Sequence, residues 1–268
     1  MGNASTLPVA LTIAGSDSGG GAGIQADLKT FQSFGVFGTT AITAITVQDT
    51  TGVRGVHPVP PEFVRAQIDA VAEDLGPAAV KSGMLATAAL VRTVATAIED
   101  HRMVRYVLDP VLVSSTGARL LDPDAVGSIS ARLLPLAALV TPNLDEARVL
   151  TELEVLGVEG QREAARRLVQ MGARAALVKG GHSPGTEVAD LFWDGTTERI
   201  WRRPKLPTRN THGTGCTLSA GIAAGLAWGI PLENAIERAL TYVERAIRTA
   251  PGLGSGVGPI NHFAEVPD

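Results

Sequence analysis

The sequence predicts an α/β fold, a largely parallel sheet covered on both faces by helices. Short apolar, β-branched runs alternate with longer amphipathic segments through most of the 268 residues. Hydrophobic residues make up 45% of the chain, and no Gly-, Pro- or Ser-rich linker divides it, so one large core is expected. The expected organisation is therefore a single domain over 1–268, with residues 1–8 as a flexible tail.

Each element follows from its local pattern. VALTIAG (9–15) reads as a buried strand, and GIQADLKTFQSF (23–34) as the helix after it. TTAITAITV (39–47) is β-branched and reads as one strand. PPEFVRAQIDAVAEDL (60–75) opens on Pro and an early Glu and spaces its apolar residues by three and four, which predicts a helix. AAVKSGM (78–84) is a strand and ATAALVRTVATAIED (86–100) a helix. VRYVLDPVL (104–112) and LAALVTPN (136–143) are strands that run into polar residues and Pro. QREAARRLVQMG (161–172) is a helix leading into the strand AALVKGG (175–181). VADLFWDGTTERIWR (188–202) holds two short strands around an Asp-Gly turn, and helices follow near 214–228 and 231–248.

In such a sheet, ligands collect beyond the carboxyl ends of the strands. The residues that leave those ends therefore converge: Gly15-Ser16-Asp17, Gln48-Asp49, Ser82-Gly83-Met84, Asp109-Pro110, Thr141-Pro142-Asn143 and Lys179-Gly180-Gly181-His182. This is the expected rim of a functional site.

Composition narrows what that site can serve. The net charge is −4 and no Lys/Arg run marks a nucleic-acid face. No apolar run approaches the roughly 18 residues of a membrane helix, and the first ten residues lack the pattern of a secretory leader. A single cysteine excludes an intrachain disulfide and suits a reducing compartment, so a cytoplasmic location is expected.

The motifs carry two readings each. No G-x-x-x-x-G-K-[ST] loop is present, and Gly21-Ala22-Gly23-Ile24-Gln25-Ala26 matches a dinucleotide fingerprint only formally. No acidic residue ends the next strand cleanly, so SGGGAG reads either as a turn or as backbone close to a small ligand. Asp27 suits a helix start through the helix dipole, or a substrate contact. Gln48 can donate and accept at once, which fits the edge of an aminopyrimidine-like ring or a structural amide. Asn143 and Glu146, three residues apart, share a helix face and could serve Mg2+ through a few oxygens. The same spacing makes a capping box, and on spacing alone capping is favoured. In NTHGTGCTLSAG, the glycines free backbone amides at a helix start, an anion site needing no side-chain charge. Cys216 sits at that positive end, where a thiol pKa is lowered, although a free cysteine is often just a small buried hydrophobe.

Taken together, GSDSGGGAGIQADLKT, VKSGML, LDPVLVSSTG, TPNLDEA, VKGGH and THGTGCTLSAG resemble the hydroxymethylpyrimidine/phosphomethylpyrimidine kinases of thiamine biosynthesis, from about residue 9 to 263. The resemblance implies a ribokinase-like three-layer α/β/α sandwich with a mostly parallel central sheet, usually dimeric. It implies transfer from ATP with Mg2+ to 4-amino-5-hydroxymethyl-2-methylpyrimidine and then to its monophosphate. It places the pyrimidine near Gly15, Asp27, Gln48, Met84 and Val111. Asp109, Lys179 and Thr211 would lie by the ATP phosphates, and Asn143 and Glu146 by Mg2+. Gly213, Thr214 and Gly215 would hold the transferring phosphoryl group, with Cys216 as base. The expected partners are small molecules and a second copy, with neither nucleic acid nor membrane. Pyridoxal kinase is the nearest rival. A non-catalytic sensor would need neither the metal residues nor the thiol, and a nicotinamide enzyme lacks its ribose-binding acid.

Overall fold

The computed structural model describes residues 7–112, 123–181 and 185–267. Residues 1–6 of the expected tail, 113–117 of the LDPVLVSSTG motif, and His182 lie outside the described residues.

An eight-stranded sheet forms the centre, in the order β10-β9-β8-β7-β6-β5-β1-β2. From one edge inward these are β2 (Phe37–Ile42), β1 (Val9–Ala14), β5 (Ala79–Ser82), β6 (Tyr106–Leu108), β7 (Leu139–Val140) and β8 (Ala176–Val178), all parallel. The Asp-Gly turn closes the antiparallel pair β9 (Glu187–Trp193) and β10 (Glu198–Pro204), and β9 runs antiparallel to β8.

Alternation along the strands supplies both faces of the sheet. Leu11, Ile13, Val80, Tyr106, Leu108 and Val178 enter one core. That core is covered by α2 (Pro61–Leu75), α3 (Ala88–Asp100), α4 (Pro123–Ser128), α5 (Leu144–Thr151) and α6 (Gly157–Gln170). Ala10, Ala79, Val107 and Leu177 point the other way, against α1 (Gly23–Ser33), α7 (Thr214–Ala227) and α8 (Leu232–Arg248). The result is the expected α/β/α sandwich. Helix α7 is buried along its length, and its small residues let α8 approach closely: a Cβ at Gly225 would come 2.7 Å from that of Ala235.

Several elements depart from the sequence-based expectation. The single strand expected over 39–47 is two strands, broken at Thr43. The backbone amide of Thr43 donates to Ala14 O and its hydroxyl to Met84 O, so the chain turns there. The second of the two, β3 (Ala44–Asp49), leaves the main sheet and pairs antiparallel with an unforeseen strand, β4 (Gly52–Pro58), forming a separate ribbon. The ribbon face bearing Ile45 and Val47 is solvent-exposed. Helix α6 begins four residues before the expected start, and a π turn (Ile129–Leu133) with a 3-10 turn (Leu134–Leu136) bridges α4 to β7. The sequence offered no periodic pattern for these short turns.

Candidate active site

Two glycine-rich loops meet at the carboxyl ends of the strands. The first follows β1 and is built around Asp17, whose carboxylate accepts hydrogen bonds from the amides of Gly19 (2.8 Å), Gly21 (3.0 Å) and Ala22 (2.8 Å). The second is the turn into α7, where Gly213 has φ 82°. A Cβ at Gly213 would overlap Gly21 O, so the loops are in backbone contact and only glycine fits. His212, just before that turn, lies 2.8 Å through Nε2 from Asp17 Oδ2. Burial works to raise Asp17, but His212 and the loop amides hold its carboxyl below the usual range.

Cys216 enters this junction from the first turn of α7, beside the first amide of α1, that of Gly23. Its surroundings overturn one expectation. The helix start does not bring the thiol toward neutral pH; burial pushes it up to about 11. Lys81 pulls it down, while Asp27 and Asp109 add to the rise.

Asp27 also departs from its expected place. It is fully buried, and its carboxylate is occupied by Lys81 Nζ at 2.8 and 3.0 Å and by the Thr12 hydroxyl at 2.6 Å. No face of it is open to a substrate, so it is corrected from a ring contact to half of an ion pair linking α1 to β5. Lys81, unflagged by the sequence beyond its strand, is equally buried. Burial opposes its charge, yet Asp27, Cys216 and Asp109 hold the ammonium protonated.

Gln48 is half-buried at a bulge in the ribbon. Its backbone is tied to the first loop through Ser18, and its side chain lies between Thr46 and His212, 3.4 Å from each. Gly15 and Met84 are neighbours: a Cβ at Gly15 would come 3.1 Å from Met84 Sδ. Val111 follows Asp109, donating its amide to Asp109 O, and packs on the main core.

The remaining expected residues form a second cluster next to Cys216. Lys179 Nζ donates to Asp109 Oδ1 at 3.0 Å and lies 3.9 Å from Glu146 Oε2. Asp109 also accepts from Thr141 and Ser219; burial would raise it, but Lys179 and Lys81 keep it low. A Cβ at Gly215 would come 3.3 Å from Lys179 Nζ, which puts the ammonium directly beneath the α7 turn. Thr211 is exposed, its carbonyl accepting from Thr214 N at the same turn.

Asn143 and Glu146 do form the capping box that their spacing favoured: Asn143 Oδ1 accepts from Glu146 N at 2.9 Å, and Glu146 Oε2 from Asn143 N at 2.8 Å. Capping does not account for everything, because the Glu146 carboxyl is buried with Asp109 nearby. Burial pushes it up to about 7, Lys179 pulling down and Asp109 up. A divalent cation would relieve that like-charge pair, so the donor set fits Mg2+, which keeps most of its waters and takes one or two carboxylates. Among the described residues no group of three or more His, Cys, Asp or Glu forms a ready protein cage.

Sequence reasoning put Asp17 on the rim without giving it a role, and missed His212 and Lys81. Asp17 and His212 stand inside the two glycine-rich motifs, but nothing in the spacing joins residues 195 positions apart. A lysine within an apolar strand was the one local sign that something inside carries negative charge.

The sequence model of the phosphomethylpyrimidine kinase family matches residues 17–261. The hydroxymethylpyrimidine/phosphomethylpyrimidine kinase of Bacillus subtilis is 48% identical over 95% of this chain and 94% of its own. The thiamine biosynthesis bifunctional protein ThiED of Geobacter sulfurreducens is also 48% identical, over 96% of this chain but 53% of its own length. Among solved structures, an ADP complex of Bacillus subtilis pyridoxal kinase superposes with a TM-score of 0.90 at 36% identity, covering 97% of this chain and 98% of that one.

Proposed function

The chain belongs to the phosphomethylpyrimidine kinase family, and from that premise we propose how its residues divide the work. It is a thiamine-biosynthesis kinase that phosphorylates 4-amino-5-hydroxymethyl-2-methylpyrimidine and then the monophosphate. ATP is the proposed donor, in line with the ADP held by its pyridoxal kinase neighbour.

The observation that carries the site reading is the contact of the two glycine loops over Cys216, with Lys179 beneath the turn. The amides of Gly213, Thr214 and Gly215 stand at the start of α7 and would cradle the transferring phosphoryl group, that of Thr214 giving up its 3.3 Å contact with Thr211 O to do so. Lys179, held by Asp109, supplies positive charge beside it. Thr211 lies at the outer side of the phosphates. Asn143 and Glu146 would hold Mg2+ after β7, where the ion would supply positive charge that offsets the phosphates. Gln48, Gly15, Met84 and Val111 bind the pyrimidine.

Cys216 takes the hydroxymethyl proton in the first step. It does so as the thiolate, a minor species near neutral pH because burial pushes the thiol up to about 11, and the proton passes from the hydroxymethyl oxygen to Sγ as that oxygen bonds to phosphorus. In the second step the acceptor is a phosphate that needs no base, and a neutral thiol does not repel it. Asp27 and Lys81 lie behind the thiol and moderate its charge.

The chain acts as one kinase domain over 1–268, since both cores share one sheet. A homodimer is proposed from the ribbon, whose exposed Ile45 and Val47 share one face that a second copy would cover. A cytoplasmic location rests on the single free thiol.

Pyridoxal phosphorylation is the second reading, favoured by the closeness of the superposed pyridoxal kinase. A coupled ATPase assay across hydroxymethylpyrimidine, its monophosphate and pyridoxal, with and without Mg2+, tests both. Turnover of both pyrimidines only with Mg2+ supports the first. Turnover of pyridoxal alone overturns it.

A further inference from the structure

The Gln48 carboxamide has two possible orientations, and its neighbours permit one. Asp17 is ionised and accepts at both oxygens, so the His212 Nε2 that lies 2.8 Å from Asp17 Oδ2 must carry the hydrogen between them. With its hydrogen committed to Asp17, that Nε2 has no lone pair to offer an NH2, so the Gln48 atom 3.4 Å from it has to be the oxygen. On the other side, Thr46 Oγ1 donates its only hydrogen to Ser16 O at 2.8 Å. It therefore presents lone pairs to Gln48, 3.4 Å away, and the group facing it has to be the NH2. Both neighbours demand the same orientation: Oε1 toward His212, Nε2 toward Thr46.

We infer that Asp17 and His212 are positioning residues that lock the Gln48 carboxamide in this orientation and so fix the order of donor and acceptor it offers an acceptor ring. The inference rests on the reading that Gln48 contacts that ring. One Oε1 lone pair and one Nε2 hydrogen remain for the substrate. Beside the hydroxymethyl carbon the aminopyrimidine presents an amino donor, then a ring-nitrogen acceptor. Pyridoxal presents there an aldehyde oxygen, an acceptor, and then a phenolic hydroxyl. A locked amide suits one order only; a free amide can turn over and take either. Selection against pyridoxal is thereby assigned to a pair of residues that lie behind Gln48. The pair is itself anchored, Asp17 by three loop amides and His212 by its backbone amide, which donates to Gly258 O.

The experiment measures KM and kcat for hydroxymethylpyrimidine, pyridoxal and ATP in four proteins: unaltered, His212→Phe, Gln48→Leu and the double variant. His212→Phe keeps a flat ring and removes the N–H. It is expected to raise the hydroxymethylpyrimidine KM about ten-fold, to lower selectivity over pyridoxal by a similar factor, and to leave the ATP KM in place. In the Gln48→Leu background the same change should have no further effect on selectivity. Equal effects of His212→Phe in both backgrounds, or unmoved selectivity, would overturn the inference while leaving Gln48 as a ring contact. An unchanged pyrimidine KM in Gln48→Leu would remove the site reading and the inference with it. Thr46→Val removes the opposite partner with little change of shape and should also lower selectivity. If His212→Phe does not fold, that variant decides: unchanged selectivity in it overturns the inference.

Discussion

At the scale of a residue, Cys216 shows how far burial can outweigh a helix end. A thiol at a helix start is expected to acidify, yet the half-buried Cys216 is pushed up to about 11 by loss of solvent, with Asp27 and Asp109 adding to the rise. In the proposed first phosphorylation the active form is the thiolate, which predominates only above that value. Its fraction at neutral pH is therefore small and grows about ten-fold per pH unit. The kcat/KM for hydroxymethylpyrimidine should accordingly rise with near-unit slope from about pH 7 to 9, while that for the monophosphate should stay flat after correction for phosphate ionisation. Cys216→Ala should lower the first reaction by roughly 10²–10⁴-fold and the second by much less. Separate pH profiles of the two half-reactions check this, and parallel profiles would return Cys216 to a packing role. Gln48 teaches a related lesson at this scale: its residue type suggested either a ring contact or a structural amide, and its side chain lies between Thr46 and His212, neighbours that spacing does not reveal.

At the scale of elements, α1 and β5 are joined by an ion pair in the interior. Lys81 and Asp27 are both 0% exposed, and Thr12 from β1 completes the carboxylate's partners. Removing one charge leaves the other uncompensated in a dry site, which costs more than removing both. Lys81→Met should lower unfolding stability by about 3–5 kcal/mol. The double variant Lys81→Met/Asp27→Asn should recover much of that loss in a urea titration. Failure of the second change to rescue the first would mean that the pair is not the reason Lys81 is there. Element boundaries follow the same logic of competing partners. TTAITAITV reads as one strand by propensity, but Thr43 gives its amide to Ala14 and its hydroxyl to Met84. The chain leaves the sheet there, and this departure carries Gln48 over the site.

At the scale of the whole molecule, the last segment of the chain closes the structure against α7. His262 Nε2 lies 3.0 Å from the Thr217 hydroxyl, and Ser33 and Tyr242 both donate to His262 O. Burial, helped by Lys29, pushes the imidazole from its ordinary 6.5 down to about 4. The unfolded chain thus binds a proton between those values that the folded protein refuses. Stability falls as pH drops from about 6.5 to 4, by about 3 kcal/mol for a shift of this size. His262→Gln keeps a polar group near Thr217 and cannot titrate. Denaturant titrations at pH 7 and pH 5 should show a smaller loss on acidification in the variant than in the unaltered protein. Equal losses would assign the acid sensitivity to other groups.

What the sequence determined by itself was periodic or contiguous. Alternating runs specified a parallel α/β sandwich, strand ends located the rim, and the Asn143–Glu146 spacing announced a capping box that the structure contains. Short motifs with fixed order, above all THGTGCTLSAG, carried the family resemblance. What only the tertiary structure decided was which distant groups share one enclosed space. Burial turned Asp27 from a candidate ring contact into the partner of Lys81, and raised rather than lowered the Cys216 thiol. Contact between Gly21 and Gly213 brought Asp17 against His212, a pairing across 195 positions with no local signature. The physical reason is that hydrophobic periodicity is written into neighbouring residues. Desolvation and charge pairing depend on the solvent excluded by every element at once, and no stretch of sequence contains that.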